Sequence, residues 1–422
     1  MPELGVRSFV RSAYVAGRRF GQFALSIVLL AGSSLWFVRS AIETGGLGNW
    51  ASIAVGQTVG AIAAVLVGYG WSIAGPVRIA AAPTLESRRD EYFDALLVRS
   101  VLLTGASLVV GLCAVLMPAT EPTLVFLGAL PVMISALSAS FYYVGIASPA
   151  RLFVAETIPR VAASALAAAL LSLGSVDLLG GLLLQLLGAV VAVCSSSFYI
   201  LGLYGIGPRF RRVRIADVRS LLRRQRGGLT ASLLVSTVSN APILIVSAVA
   251  PAALGPFSVV DKLSKQVLAG SSPVTSVLQG WVPRDGPRSV KRRARAALLM
   301  AWIAGVAAAA SMFLVSPVLV HWLAAGSIPP SVATSALMGA FVGLFLTQNA
   351  VSFACLAAQK NLAQANLSMA VCSPLGLFLV AVLSPFWGTN GALVGVCAGM
   401  VLACIWQSVA VMRFSADPDT QK

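Results

Sequence analysis

Apolar residues in this chain run in continuous blocks, separated by short polar or basic connections. Twelve blocks come near or exceed the roughly 20 residues that carry a helix across a bilayer. They lie near 22–43, 49–75, 95–117, 122–146, 158–174, 180–205, 228–250, 254–281, 297–323, 331–357, 364–384 and 391–413. Helices apolar all round must bury their whole circumference in protein or lipid. The pattern therefore predicts an all-α membrane protein of about twelve transmembrane helices. The first block is too long for a cleaved signal segment, and no small-residue cleavage pattern separates it from the second, so it is predicted as a span.

The connections are of two kinds. One set carries Arg7, Arg11, Arg18 and Arg19, then Arg78, Arg88 and Arg89, then Arg151 and Arg160. It continues with eight arginines between Arg209 and Arg226, six basic residues between Arg284 and Arg295, and finally Lys360, Arg413 and Lys422. These are 26 of the 30 basic residues, and the opposite connections hold none. The positive-inside rule places both termini in the cytoplasm of a multi-pass protein of the cell inner or plasma membrane.

Composition agrees. Of 422 residues, 58% are apolar and 10% charged, against about 25% charged in soluble domains. The net charge of +16 is mostly the topology signal, so no nucleic-acid partner is expected. The six cysteines sit in apolar stretches without a C-x-x-C pair, and there is one histidine. They read as small buried hydrophobes, and neither metal nor cofactor is expected. The outer connections are too short for a catalytic domain, and their two acids, Glu121 and Asp177, are isolated. A membrane glycosyltransferase or polymerase is therefore disfavoured. A nucleotide-binding G-x-x-x-x-G-K-[ST] loop is also missing from the sequence.

The chain divides at the basic connection 207–226, giving an N-terminal six-helix bundle (1–206) and a C-terminal one (227–422). An even number of spans per half makes the halves parallel repeats about a pseudo-two-fold along the membrane normal. Leu47-Gly48-Asn49-Trp50 opens the second span and Leu254-Gly255-Pro256-Phe257 the eighth; Gly180, Leu182 and Gly188 recur as Gly391, Leu393 and Gly399. Within 207–226, Ile215, Val218, Leu221 and Leu222 share one helical face among arginines. That spacing predicts a short amphipathic helix on the inner leaflet, in contact with membrane lipids, the alternative being a solvated basic linker.

Charges inside spans are costly and mark cavities or partners. Arg39 and Glu43 lie in the first span, and Asp261, Lys262 and Lys265 in the eighth. Gln57 and Asn240 add polar positions in the second and seventh. Arg39 and Glu43, like Asp261 and Lys265, are spaced i,i+4, so local neutralisation stands beside a binding role for each pair. Arg99 is expected to snorkel to the headgroups. His321 reads as an interfacial residue, and Gly270 and Pro273 as a bend in the eighth span.

Several segments resemble the O-antigen and capsule repeat-unit flippases of the multidrug/oligosaccharidyl-lipid/polysaccharide exporter superfamily. The segments are Leu254-Gly255-Pro256-Phe257-Ser258 followed by Asp261-Lys262-Leu263, Ala357 to Asn361, and Gly388 to Ala392, with Gly145 and Arg160 in the first half. One departure is Asn240-Ala241-Pro242, where relatives often carry an acid after the asparagine. The resemblance implies two helical bundles around a central cavity lined by helices one, two, seven and eight, working by alternating access. It implies a substrate of oligosaccharide joined through pyrophosphate to a polyprenyl lipid, and polysaccharide-assembly proteins as partners. Arg39, Gln57, Asn240, Lys262 and Lys265 then become substrate-binding candidates, and Asp261 the ion-coupling candidate. The alternative is a multidrug or small-molecule exporter of the same superfamily, whose cavity needs carboxylates to attract cations. A non-transporting scaffold would need no charges within its spans.

Overall fold

The structure is a computed structural model and describes residues 3–117, 120–204, 229, 233, 236–282 and 287–416. Every regular element among them is helical: α1 (Glu3–Gly68), α2 (Trp71–Ala81), α3 (Leu85–Leu116), α4 (Pro122–Ser135), α5 (Ser140–Gly145), α6 (Pro149–Leu152) and α7 (Ile158–Ser172). There follow α8 (Leu178–Tyr204), α9 (Ser236–Val249), α10 (Pro251–Trp281), α11 (Pro287–Leu323), α12 (Val332–Ala350) and α13 (Leu362–Ala416). Single π-helical stretches join α6 to α7 (Phe153–Thr157) and extend α12 (Val351–Leu356). The 207–226 connection, with its predicted amphipathic helix, lies outside the described residues.

Among the described residues, eight helices or helix runs are long and apolar enough to cross a membrane. Two of these are double. α1 breaks at Gly46 (φ 76°) and α13 at Gly388 (φ 56°), which separates the first predicted span from the second and the eleventh from the twelfth. Both breaks need a backbone that L side chains rarely adopt. α10 is 31 residues long and carries Asp261, Lys262 and Lys265. It is assigned helical throughout, Gly270 and Pro273 included.

Polar side chains fix several helix ends. Thr84 and Ser87 form a reciprocal capping box at the start of α3. Asp177 accepts from the Gly180 amide at 2.8 Å to start α8, which gives this outer acid a structural task. Ser331 accepts from the Thr334 amide at the start of α12.

The chain forms two compact units, Met1–Asn240 and Ala241–Lys422, with the boundary inside α9. In the first, glycines let backbones touch. A Cβ on Gly56 would stand 2.1 Å from the Val125 carbonyl oxygen, and one on Gly60 2.7 Å from that of Ala129, so α1 and α4 meet at a small-residue seam. In the second, Gly305 of α11 and Gly343 of α12 make the same kind of contact. The outer faces are apolar: Val101, Leu108, Leu112 and Val115 of α3 are exposed, as are Leu299, Ile303, Val306 and Leu314 of α11. Such stripes suit hydrocarbon rather than water.

Local geometry recurs between the units. Left-handed residues end helices at Ala147 (φ 52°) and Lys360 (φ 57°), and again at Gly174 (φ 67°) and Gly388 (φ 56°), at offsets of 213 and 214 residues. Gly188 of α8 presses on Ala163, and Gly399 presses on Gly376, each seating a later helix on the one before it.

Candidate functional site

α10 begins with Pro251 at its first turn, where a missing amide costs nothing. Lys265 is the fifteenth of its 31 residues, so the charged stretch is central in the helix. Lys265 Nζ lies 2.8 Å from Asp261 Oδ2, and the Asp261 side chain is the more buried of the two. Lys262 is partly buried one residue along. Two cations and one carboxylate leave this stretch with one positive charge in excess. Ser258 and Ser264 are buried on the same helix, and Ser258 returns its hydroxyl to the Gly255 carbonyl at 2.7 Å.

The other predicted residues belong to the first unit. Arg39 Nη2 meets Glu43 Oε1 at 2.7 Å, a pair close to the Gly46 break with both side chains about one-third exposed. Exposed pairs of this kind contribute little to stability. Gln57 is partly buried on the second arm of α1. Asn240 donates to the Ser236 carbonyl at 2.8 Å and approaches its hydroxyl at 3.4 Å, on α9.

A further charged cluster was not anticipated. Glu156 sits in the π-helical stretch Phe153–Thr157 and is 4% exposed. Its Oε1 accepts from the Ala139 amide at 2.6 Å and the Ser196 hydroxyl at 3.0 Å. Its Oε2 accepts from Ser138 Oγ and stands 3.6 Å from Arg160 Nη2. One carboxylate thus ties α5, α7 and α8 together. Sequence reading left Glu156 in a connection because its apolar block begins only at 158. The i,i+4 spacing of Glu156 and Arg160 was the available signal.

Arg99 corrects a second expectation. It does not snorkel; it is 2% exposed. Its Nε donates to the Ala95 carbonyl at 3.0 Å, and its Nη1 to those of Ala136 at 2.9 Å and Ser138 at 3.1 Å. The guanidinium lies over the Phe141 ring at 4.8 Å. α4 stops at Ser135, and Arg99 donates from a neighbouring helix to the carbonyls of Ala136 and Ser138 in the turn that follows it. It lines a cavity of about 200 Å³ with Ser72, Ser138 and Ser140.

In the second unit, Gln407 is fully buried and satisfied: its Oε1 accepts from Ser352 at 2.9 Å and its Nε2 donates to Ser368 at 2.8 Å. This network joins the π-helical stretch to both arms of α13. His321, exposed at the end of α11, lies 3.2 Å from the Ile328 carbonyl. Among the described residues, no cluster of three His, Cys, Asp or Glu side chains forms a metal-ligand set.

Comparison of the sequence with protein-family models gives no match. Comparison with curated proteins gives none either. The fold, by contrast, is shared with solved transporters. The chain is similar to an inward-facing multidrug-resistance transporter of the MATE family in the MOP superfamily, with a TM-score of 0.66 and 14% identity, over 94% of this chain and 100% of that one. It is similar to the lipid II flippase MurJ in an inward closed conformation, with a TM-score of 0.56 and 12% identity, over 93% of this chain and 87% of that one. A MOP-superfamily transporter from Pyrococcus furiosus, described as having a binding pocket of reversed polarity, aligns with a TM-score of 0.53 and 14% identity, over 94% and 96% of the two chains. The chain therefore has the all-helical fold of these multi-pass membrane transporters.

Proposed function

We propose that this protein is a flippase. It moves a polyprenyl-pyrophosphate-linked oligosaccharide from the inner to the outer leaflet by alternating access. The observation that carries this reading is the charged stretch at the middle of α10, where Lys262, Lys265 and Asp261 lie within five residues and Lys265 pairs with Asp261. A pyrophosphate crossing a low-dielectric core needs its charge compensated, and ammonium groups at mid-membrane depth serve that need. Arg39, paired with Glu43, is a second phosphate contact nearer the end of its arm. Gln57 and Asn240 supply hydrogen bonds suited to sugar hydroxyls. Asp261 is the coupling carboxylate: it exchanges a proton as Lys265 engages or releases phosphate. Polysaccharide-assembly proteins are the partners that would supply and receive such a substrate.

The fold likeness includes both a lipid flippase and a multidrug-resistance transporter, so export of organic cations is the second reading. Asp261 and Glu43 are the carboxylates such a cation would use, each of them paired with a basic residue in this structure. Charge-specific variants separate the two. In cells dependent on the flippase, Lys262→Ala with Lys265→Ala should stop delivery of lipid-linked glycan and leave cation export unchanged. Loss of cation export on Asp261→Asn, with glycan delivery intact, would establish the exporter instead.

A further inference from the structure

Apart from the α10 charges, the first unit carries a second basic site. A cavity of about 290 Å³ opens among Leu85, Arg88, Tyr142, Ile146, Ser148 and Arg151. No acidic residue lines it. Three nearby acids are engaged elsewhere: Glu91 accepts from Arg78 and Trp71, Asp90 pairs with Arg89, and Glu156 is held by Ser138, Ala139, Ser196 and Arg160. Arg88 and Arg151 have no ion pair among the described residues, and the Arg88 Nε is buried without a hydrogen-bond partner there. Arg151 rests on the Tyr199 ring at 5.6 Å, a stacking contact that orients the guanidinium and leaves its N–H edges available.

The turn that builds the cavity is itself held. Ala147 takes a left-handed backbone (φ 52°), and the Ser148 amide reaches back to the Tyr143 carbonyl at 2.9 Å. This brings Ser148 and Arg151 opposite Arg88 on the first turn of α3. Both arginines come from connections that the charge pattern assigns to the cytoplasmic face. The rim residue Leu85 is 60% exposed, an apolar edge beside a basic pocket. A phosphate group with several waters of about 30 Å³ each fits the volume.

We propose that this cavity binds a phosphate-bearing anion at the cytoplasmic surface, held by Arg88 and Arg151 with the Ser148 hydroxyl. Two converging guanidinium groups recognise phosphate through charge-assisted and bidentate hydrogen bonds. The site is built from residues of the first unit and does not depend on which cargo is transported. The same chemistry belongs to a phospholipid headgroup and to free phosphate, and the test separates them.

Full-length protein in neutral phosphatidylcholine nanodiscs is compared by thermal unfolding before and after phosphatidylglycerol is included, and in a parallel arm before and after inorganic phosphate is added. The same arms are run on the Arg88→Gln/Arg151→Gln double variant, on Arg88→Lys/Arg151→Lys, and on Arg292→Gln as a basic-residue control in the other unit. We expect the wild type and the Arg292 variant to be stabilised by phosphatidylglycerol and the glutamine double variant to lose at least half of that shift. The lysine double variant should be intermediate. Response to phosphatidylglycerol alone identifies a lipid headgroup, and an equal response to inorganic phosphate identifies a soluble ligand; both support the site. Equal shifts in wild type and glutamine double variant in both arms, or no shift in either, would overturn it. If the glutamine double variant does not fold, the single variants Arg88→Gln and Arg151→Gln carry the same comparison.

Discussion

Lys265 Nζ and Asp261 Oδ2 lie 2.8 Å apart, one turn of α10 from each other. This pair lets two lysines sit in a membrane helix at the cost of one net charge rather than two. It also makes Asp261 the group whose protonation would release Lys265. Asp261→Asn is expected to remove any dependence of transport on an imposed pH gradient in proteoliposomes, with the protein still folded. Retention of full gradient dependence would assign Asp261 to neutralising Lys265 alone.

Glu156 joins three helices through one carboxylate, so its removal should cost more than that of any surface acid. Glu156→Ala leaves the Ala139 amide, the Ser138 and Ser196 hydroxyls and Arg160 without this partner. Breaking a buried charged cluster costs about 3–5 kcal/mol. Thermal unfolding in detergent should show a clear loss for Glu156→Ala and a smaller one for Glu156→Gln, which keeps part of the hydrogen bonding. An unchanged midpoint for the alanine variant would contradict the structural role.

The α1–α4 seam predicts a steep size dependence. Gly56→Ala places a methyl 2.1 Å from the Val125 carbonyl oxygen, whereas Gly32 has no neighbour within 4 Å on the side where its Cβ would stand. Overpacking costs about 1–3 kcal/mol. Gly56→Ala should lower the yield of monodisperse protein and its unfolding temperature, and Gly32→Ala should change neither.

Much of the fold was legible because membrane helices announce themselves by length and hydropathy. The breaks at Gly46 and Gly388 fall between the apolar blocks 22–43 and 49–75 and between 364–384 and 391–413. Glu156 and Arg99 were not legible in the same way. Hydropathy marks where a helix is apolar, not where it begins, so a helix that starts at Pro149 hid its carboxylate in an apparent connection. Arg99 was read from its position near a span end, but its partners are carbonyls 37 and 39 residues away in sequence, where α4 stops short. The charges on α10 were found from sequence because a lysine in an apolar block is conspicuous on its own. The Asp261–Lys265 and Arg39–Glu43 pairs follow from i,i+4 spacing, and the structure places both within ion-pair distance.

Topology is open to a direct check. After the native cysteines are replaced, a cysteine at Ser220 should resist membrane-impermeant thiol reagents applied outside intact cells, and one at Thr120 should react. The opposite pattern would invert the orientation deduced from the basic connections.

The most direct test of the transport proposal is a leaflet assay. Purified protein is placed in proteoliposomes with a fluorescent polyprenyl-pyrophosphate oligosaccharide, and the rate at which the label reaches the opposite leaflet is measured for the wild type, Lys265→Ala and Lys265→Arg. The account predicts translocation by the wild type and a roughly tenfold or greater slowing in Lys265→Ala, the weight of one charged hydrogen bond at about 1.5–3 kcal/mol. Lys265→Arg should fall between them, because it keeps the charge but not the shape of the donor. Translocation at the wild-type rate by Lys265→Ala, or none by the wild type while it exports an organic cation, would contradict the account.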